Sequence, residues 1–161
     1  MRIAALTVPP QALSRFAVLV EPPAHPGDRR LYSDWLAPIP GLDLQFHMNH
    51  VAPSALPLEI ARVEAHPHAA QVFLPVDVDR YVVTVMPGGE TPDHSGAISV
   101  ILPGTVGIAY RPGAWHAGMT VLGRRGHFAV LMQRGAADDD RFAAIPPLTV
   151  AAPEALTGTG P

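Results

Sequence analysis

Residues 64–86 read EAHPHAAQVFLPVDVDRYVVTVM, and this stretch decides the fold. Two short apolar runs, 71–75 and 81–86, flank a turn that Asp77 and Asp79 mark. Short runs of valine and aromatic residues bounded by turn residues are typical of β-strands. Polar residues come directly before the first run, so the pattern predicts a strand pair with chemical groups at one end.

Histidines are the main candidates for chemistry in this stretch. If the segment His66-Pro67-His68 is extended, both imidazoles project to the same side, because side chains alternate along a strand. Gln71 follows at the start of the first apolar run. A second stretch, GIAYRPGAWHAGM at 107–119, adds His116.

Length and composition favour one globular domain over residues 1–161. The chain is 48% apolar and 16% charged, which is typical of a globular protein. Its net charge of -3 gives no reason to expect a nucleic-acid or membrane partner. No apolar run approaches the roughly 18 residues of a membrane span, and no secretory signal is visible, so we expect a cytoplasmic protein.

Two residue types are missing, and their absence excludes whole classes of chemistry. All 11 basic side chains are arginines and there is no cysteine. Without lysine there is no Schiff base and no P-loop lysine. Without cysteine there is no disulfide, no thiolate nucleophile and no cysteine-ligated zinc.

Many short strands joined by turns are expected, because proline and glycine number 19 and 14 and valine is abundant. Turn signals every 8–12 residues predict a sandwich or barrel. We predict a helix over 10–16, a strand with alternating apolar residues over 42–49, and a single strand over 115–122. Residues 136–147 read as turns with at most one helical turn, and 153–161 as a frayed tail.

The histidine pattern resembles the two-part metal motif of the cupin jelly rolls. The matching positions are His66, His68, Gln71 and His116. In that motif a glutamate usually follows the histidine pair, whereas Gln71 is neutral and would hold a divalent cation less strongly. Three imidazoles could bind nickel, zinc or iron. A polar pocket without metal is the alternative.

A more specific resemblance extends over about residues 42–145. Residues 56–87 are similar to the motif of the ureidoglycolate lyases, approximately E-R-H-P-x-x-x-Q-x-F-I-P. The matching positions there are Glu64, His66, Pro67, Gln71, Phe73 and Pro75. The later family pattern G-V-x-Y-x-x-x-x-W-H-x-P is matched at Gly107, Tyr110, Trp115 and His116. HFAVLMQRG, at 127–135, resembles the closing strand of that family.

This resemblance implies an all-β, cupin-like jelly-roll β-barrel with one or two short helices, often a homodimer. The implied reaction is a carbon–nitrogen lyase step of allantoin and purine catabolism, which converts (S)-ureidoglycolate to glyoxylate and urea. Such a cleavage needs a base, an acid and a cation for the carboxylate, so no cofactor is required. A divalent metal could assist it.

The implied roles fall on few side chains. His66 and His116 are the acid and base, in an order that the sequence leaves open. Gln71 and Tyr110 would hydrogen-bond the ureido group or the developing oxyanion. The predicted substrate-binding residues are Arg111, as the carboxylate fork, with Trp115, Gln133 and Tyr81.

Departures from the family pattern leave the substrate open. His50 stands where a basic residue is common after an asparagine, Ala65 replaces an arginine, and residues 25–40 lack an asparagine-rich segment. Two alternatives therefore stand beside the lyase. One is a cupin lyase or hydrolase acting on another small hydroxy or keto acid, and the other is a non-catalytic cupin that binds a small ligand.

Overall fold

The computed structural model describes residues 1–153, which form two β-sheets of hydrogen-bonded strands. In chain order the strands are β1 (Arg2–Ala4), β2 (Ala17–Val20), β3 (Asp43–Val51), β4 (Pro53–Ser54), β5 (Leu58–Ala65), β6 (Gln71–Pro75), β7 (Arg80–Met86), β8 (Ile98–Pro103), β9 (Gly107–Tyr110), β10 (Trp115–His116), β11 (Thr120–Leu122), β12 (Gly126–Arg134) and β13 (Arg141–Ala151). Short 3-10 helices cover Gln11–Arg15, Ser33–Leu36 and His94–Gly96. The expected all-β fold is confirmed. Beyond Pro153, the predicted tail lies outside the described residues.

The two sheets differ in size. The larger sheet has the order β1-β13-β5-β10-β7-β11-β4, and β8 also pairs with β7. The smaller sheet has the order β2-β9-β6-β12-β3. Strand pairing is antiparallel except for β1 with β13 and β4 with β11. Antiparallel pairing is expected where short turns join neighbouring strands, because parallel strands need long crossover connections.

Strand β7 is buried on both faces, and this explains why its residues 81–86 are apolar except for Thr84, whose hydroxyl is hydrogen-bonded to Ser99. Tyr81, Val83 and Val85 belong to one core cluster together with side chains of the smaller sheet. Val82 and Met86 belong to a second cluster, on the opposite face of the larger sheet. Burying a side chain of this size contributes about 1.5–3 kcal/mol, so the two faces of β7 anchor the fold.

Three predicted elements differ in the structure. The helix expected over 10–16 is a 3-10 helix of five residues. The strand expected over 115–122 is split into β10 and β11, which pair with opposite ends of β7. The turns expected over 136–147 are wrong from Arg141 onward, where β13 begins. Its two prolines fall between Ala144 and Leu148, where the register with β5 shifts, so neither breaks a regular ladder.

The alternation predicted over 42–49 is present in β3, at the edge of the smaller sheet. Leu44, Phe46 and Met48 share a face with exposed fractions of 54%, 64% and 50%. The apolar face of β3 therefore does not contribute to the core. No helix of the described residues is long and apolar enough to cross a membrane.

Candidate active site

A pocket of about 570 Å³ opens between the two sheets, beside β3. Its lining combines one arginine, two carboxylates and several histidines with a few apolar side chains. The lining residues are His47, Met48, Asn49, His50, Val51, Ala52, Glu64, His66, Gln71, Phe73, Gly118, Met119, Arg134, Asp140 and Phe142. A concave site with few, convergent polar groups is the usual form of a small-molecule site.

His66 lies in the pocket wall directly after β5 and is buried. Its Nδ1 is 3.2 Å from the carbonyl oxygen of Asp139 and 3.0 Å from Oδ1 of Asp140. Both are acceptors, so Nδ1 carries the proton and Nε2 keeps a lone pair. Nε2 is buried and has no hydrogen-bond partner. Burial, followed by the nearby charge of His116, lowers the pKa of His66, so the ring stays neutral at neutral pH and the lone pair of Nε2 is available.

Asp140 links His66 to the arginine of the pocket. Both oxygens of its carboxylate accept hydrogen bonds from Arg134, one of them at 3.0 Å. The hydrogen bond from Arg134 is the main cause that lowers the pKa of Asp140. The acidic run Asp138–Asp140 thus supplies one carboxylate to the site.

His116 lies beneath the pocket floor and is buried. Its Nδ1 is 2.9 Å from the carbonyl oxygen of Ala114, and its Nε2 is 3.1 Å from Oε1 of Gln71 and 3.4 Å from Oε1 of Glu64. The ring of Tyr110 stacks on it, with the centroids 3.9 Å apart. The oxygens of Ala114, Gln71 and Glu64 that surround the ring can only accept hydrogen bonds. Two arrangements satisfy them: both ring nitrogens of His116 carry protons, or a cation lies beside Nε2.

Glu64 brings a second carboxylate to the floor, from β5 opposite His116. Burial alone would raise the pKa of Glu64, but the contact with His116 outweighs it and the pKa is lowered. Glu64 therefore stays ionised beside His116. Sequence reasoning gave it no role, although its spacing from His66 places both residues on one side of an extended chain.

Three of these groups form a candidate metal centre. One ligand atom each from Glu64, His66 and His116 lie within 4.8 Å of one another. The unpartnered Nε2 of His66 and the oxygens facing His116 fit a divalent cation, since imidazole and carboxylate are common zinc ligands.

His68 does not join this group. The chain bends after His66 rather than continuing as a strand, so the two imidazoles do not project to one side as predicted. His68 is exposed, and its Nε2 lies 2.6 Å from Oδ1 of Asp138. In the predicted ligand set Glu64 takes its place.

Arg111, the predicted carboxylate fork, lies outside the pocket. Its Nε donates to the carbonyl oxygen of Ser14 at 2.9 Å, and its guanidinium carbon lies 5.0 Å from the ring centre of Trp35. The arginine in the pocket is Arg134, at the end of β12. Only the fold reveals it, because β12 and β6 are neighbours in the sheet although far apart in sequence.

The three other predicted substrate contacts also lie elsewhere. Tyr81 is in the core, where its hydroxyl donates to the carbonyl oxygen of Val106. Trp115 belongs to the cluster on the opposite face of the larger sheet, and its Nε1 donates to Gly89. Gln133 points away from the pocket and bonds the backbone of residues 36–39.

Comparison with known proteins identifies the family of the chain. The sequence profile described as ureidoglycolate lyase matches residues 36–151. A ureidoglycolate lyase of Pseudomonas savastanoi pv. phaseolicola is 29% identical over 105 residues, which cover 64% of this chain and 62% of the relative. One of Escherichia coli O1:K1 is 32% identical over 99 residues, 62% of this chain and 61% of the relative.

A third ureidoglycolate lyase, of Burkholderia cepacia, is 38% identical over 85 residues, which cover 52% of this chain and 46% of the relative. The matches thus span less than two thirds of the length of each of these relatives. The profile, by contrast, includes the pocket residues from β3 to β13. The chain belongs to the ureidoglycolate lyase family.

Proposed function

We propose that this protein is a carbon–nitrogen lyase that converts (S)-ureidoglycolate to glyoxylate and urea. The observation that carries the proposal is His66, whose Nδ1 is fixed by oxygen acceptors while its buried Nε2 is unpartnered beside the pocket. A neutral imidazole held in this way can act as a general base, because no hydrogen-bond donor already occupies the lone pair of Nε2. Family membership supplies the substrate.

In the first step, Nε2 of His66 takes the proton of the substrate hydroxyl. The electron pair of that O–H bond becomes the second bond of the aldehyde carbonyl, and the bond from carbon to the ureido nitrogen breaks. General-base catalysis of this kind contributes about 10²–10⁴ in rate. Burial lowers the pKa of His66 and so keeps the ring unprotonated at neutral pH.

The ureido nitrogen leaves with its bonding pair and needs a proton. Glu64 presents its carboxylate in the pocket, and Nε2 of His116 lies 3.4 Å behind it. We assign His116 as the source of that proton, passed through Glu64. Gln71, 3.1 Å from the same nitrogen, holds the imidazole in place.

Tyr110 keeps a role through its ring and not through its hydroxyl. The ring stacks on His116, and the hydroxyl is buried and has no partner.

The substrate carboxylate requires a cation. Arg134 is the arginine of the pocket lining, and its planar guanidinium can bind a carboxylate through two hydrogen bonds. Asp140 shares this guanidinium and fixes its position. Asn49 and His47 on β3 offer hydrogen bonds from the opposite wall.

A divalent metal, if the protein uses one, would be held by Glu64, His66 and His116, with the amide oxygen of Gln71 near the same place. It would polarise the substrate hydroxyl as a Lewis acid. The pocket lining carries two carboxylates and one arginine, and the substrate adds another negative charge. This excess of negative charge favours binding of a cation in the pocket.

We infer further that the chain forms one domain and acts as a homodimer, as the family resemblance implies. The exposed apolar face of β3 supports the dimer.

The test is release of urea and glyoxylate from (S)-ureidoglycolate, with and without added nickel or zinc. We expect turnover by the unaltered protein and a decrease of about 10²–10⁴-fold in kcat for His66→Gln. His68→Gln is the matched control, since His68 is a neighbouring histidine outside the pocket, and it should keep full activity. Absence of turnover by well-folded protein under every metal condition would overturn the lyase assignment.

A further inference from the structure

A second cavity of about 190 Å³ adjoins the candidate active site. Its lining residues are Arg62, Val63, Glu64, Gly118 and Phe142. Three of them, Glu64, Gly118 and Phe142, also line the main pocket. The two cavities therefore share a border, and a ligand in the main pocket can extend across this border into the second cavity.

Gly118 keeps this border open. A Cβ atom added to Gly118 would meet no atom within 4 Å, so no neighbouring group of the described chain fills the space beside it. The ureidoglycolate lyase pattern W-H-x-P has proline at this position, two residues after the histidine that His116 matches. This chain thus lacks a side chain at the border, where the family pattern has one.

Arg62 brings a positive charge to the second cavity. It lies on β5 two residues before Glu64, so both side chains are on the same face of the larger sheet. The guanidinium carbon of Arg62 is 4.2 Å from the ring centre of Phe142, which is opposite Glu64 in the ladder with β13. An aromatic ring holds a guanidinium by its face and leaves the N–H donors at its edge free.

The two arginines near the site differ in their partners. Arg134 donates to both carboxylate oxygens of Asp140. Among residues 1–153, by contrast, no carboxylate forms an ion pair with Arg62. A guanidinium with a free edge can bind a carboxylate through two hydrogen bonds. An arginine that is oriented by Phe142 but not neutralised therefore fits an anionic group in the second cavity.

The proposed reaction places the leaving nitrogen of the substrate beside the second cavity. That nitrogen takes its proton at Glu64, which lines both cavities. A substituent on the leaving urea therefore extends toward Arg62, whereas the acid end of the substrate binds Arg134. The main pocket alone, at about 570 Å³, is in the range for drug-sized ligands, and ureidoglycolate is far smaller.

We propose that Arg62 binds a carboxylate carried by the leaving urea, so that the substrate class is 2-hydroxy-2-ureido acids with a carboxylate arm on the far urea nitrogen. The bond changes are those of the proposed lyase step. His66 takes the hydroxyl proton, the carbon–nitrogen bond breaks, and the nitrogen keeps the electron pair and gains a proton. The products are glyoxylate and a urea that bears a carboxylate. This substrate class rests on the proposed function, which sets the direction of the substrate.

Titration calorimetry with two urea products tests the second cavity without turnover. N-carbamoylglycine is a urea with a carboxylate arm, and N-carbamoylglycinamide is its uncharged match. Excess glycolate in both titrations competes for Arg134, so the difference between the two ureas reports on the second cavity. We expect the acid to bind about three- to tenfold more tightly than the amide, a modest factor because Arg62 is exposed to water.

Arg62→Gln should abolish this preference by weakening the binding of the acid and leaving that of the amide unchanged. Arg15→Gln is the matched control, because it removes the same charge from an exposed arginine outside both cavities, and it should keep the preference. Equal affinities for the two ureas in the unaltered protein, or a preference that persists in Arg62→Gln, would overturn the proposal.

Gly118→Val tests the passage between the cavities. The backbone of Gly118 lies outside the left-handed region, so a side chain there is not strained. The variant should bind the acid more weakly, and unchanged affinity would overturn the route through Gly118. Failure of the lyase assignment is distinguishable from failure of this site. A protein that does not turn over (S)-ureidoglycolate but keeps the Arg62-dependent preference would retain the anion site and lose the proposed reaction.

Discussion

Oδ1 of Asp140 lies 3.0 Å from Nδ1 of His66, and the same carboxylate accepts hydrogen bonds from Arg134. One side chain therefore orients both the proposed base and the proposed carboxylate anchor. A hydrogen-bonded carboxylate behind a histidine fixes the tautomer and the plane of the ring. This relationship gives Asp140 a positioning role without contact between it and the reacting atoms.

Asp140→Asn is expected to lower kcat about 10–100-fold, the usual effect of removing a group that orients an active histidine. KM should change less than kcat, because the amide oxygen of asparagine can still accept a hydrogen bond from Arg134 and hold it in place. Steady-state kinetics measure both constants. Asp138→Asn is the control, as Asp138 pairs with His68 and Arg141 outside the pocket. Equal effects of the two variants would contradict the positioning role.

Stability should fall as the pH is lowered below about 6.5, the ordinary pKa of histidine. Since burial lowers the pKa of His66 in the folded state, the unfolded chain binds this proton first, and protonation favours unfolding. His66→Gln should therefore flatten the dependence of the unfolding free energy on pH below about 6.5. Urea denaturation in a chelating buffer measures it, with His25→Gln as the control. An unchanged slope in the His66 variant would count against the buried, neutral ring.

Much of the fold could be predicted from local sequence. The run 71–75, the turn at Asp77 and Asp79, and β7 follow from valine content and turn residues alone. The sequence did not reveal β13, because Pro146 and Pro147 resemble a turn, whereas the structure places them at a register shift between two ladder segments. Local pattern also could not decide that the apolar side of 42–49 is exposed, since exposure depends on which strands lie beside β3.

The site was predictable only where its residues are close in sequence. His66 and Gln71 follow from one motif, and both line the pocket. Arg134 ends β12 and Asp140 lies in the turn before β13, and only the pairing of β12 with β6 brings them to His66. Charge type alone could not separate Arg134 from Arg111, because the choice between two arginines depends on which one the fold directs inward.

The hydroxyl of Tyr110 is buried without a partner, while its ring stacks on His116. Tyr110→Phe keeps the stack and removes an unsatisfied polar group, so we expect unchanged or slightly higher stability, by about 0–1 kcal/mol, and kcat within a few-fold of the original. Tyr110→Leu removes the stacked ring and should lower both. Thermal unfolding and the lyase assay report the two effects. A large loss of kcat in Tyr110→Phe alone would instead assign the hydroxyl to the reaction.

Gly104 follows β8 at a point where two backbone segments approach closely. A Cβ added there would lie 1.6 Å from the carbonyl oxygen of Val78, so the backbone must move. Gly104→Ala should cost about 1–3 kcal/mol in unfolding free energy, the range for overpacking. Gly89→Ala is the control, because an added Cβ there meets no atom within 4 Å. Similar denaturation midpoints for the two variants would show that the turn at Gly104 relaxes easily.

Glu64 and His68 are alternative third ligands of a metal centre that includes His66 and His116, and the geometry favours Glu64. Ligand atoms of Glu64, His66 and His116 lie within 4.8 Å of one another, whereas His68 is exposed and bonded to Asp138. If the protein holds a divalent metal, Glu64→Gln should lower its affinity for zinc or nickel at least about tenfold, because a neutral amide replaces an anionic ligand. His68→Gln should leave the affinity unchanged. Titration calorimetry on protein purified without chelating resin measures both. A larger loss of metal affinity in His68→Gln than in Glu64→Gln would instead support the ligand set predicted from the sequence, which includes His68.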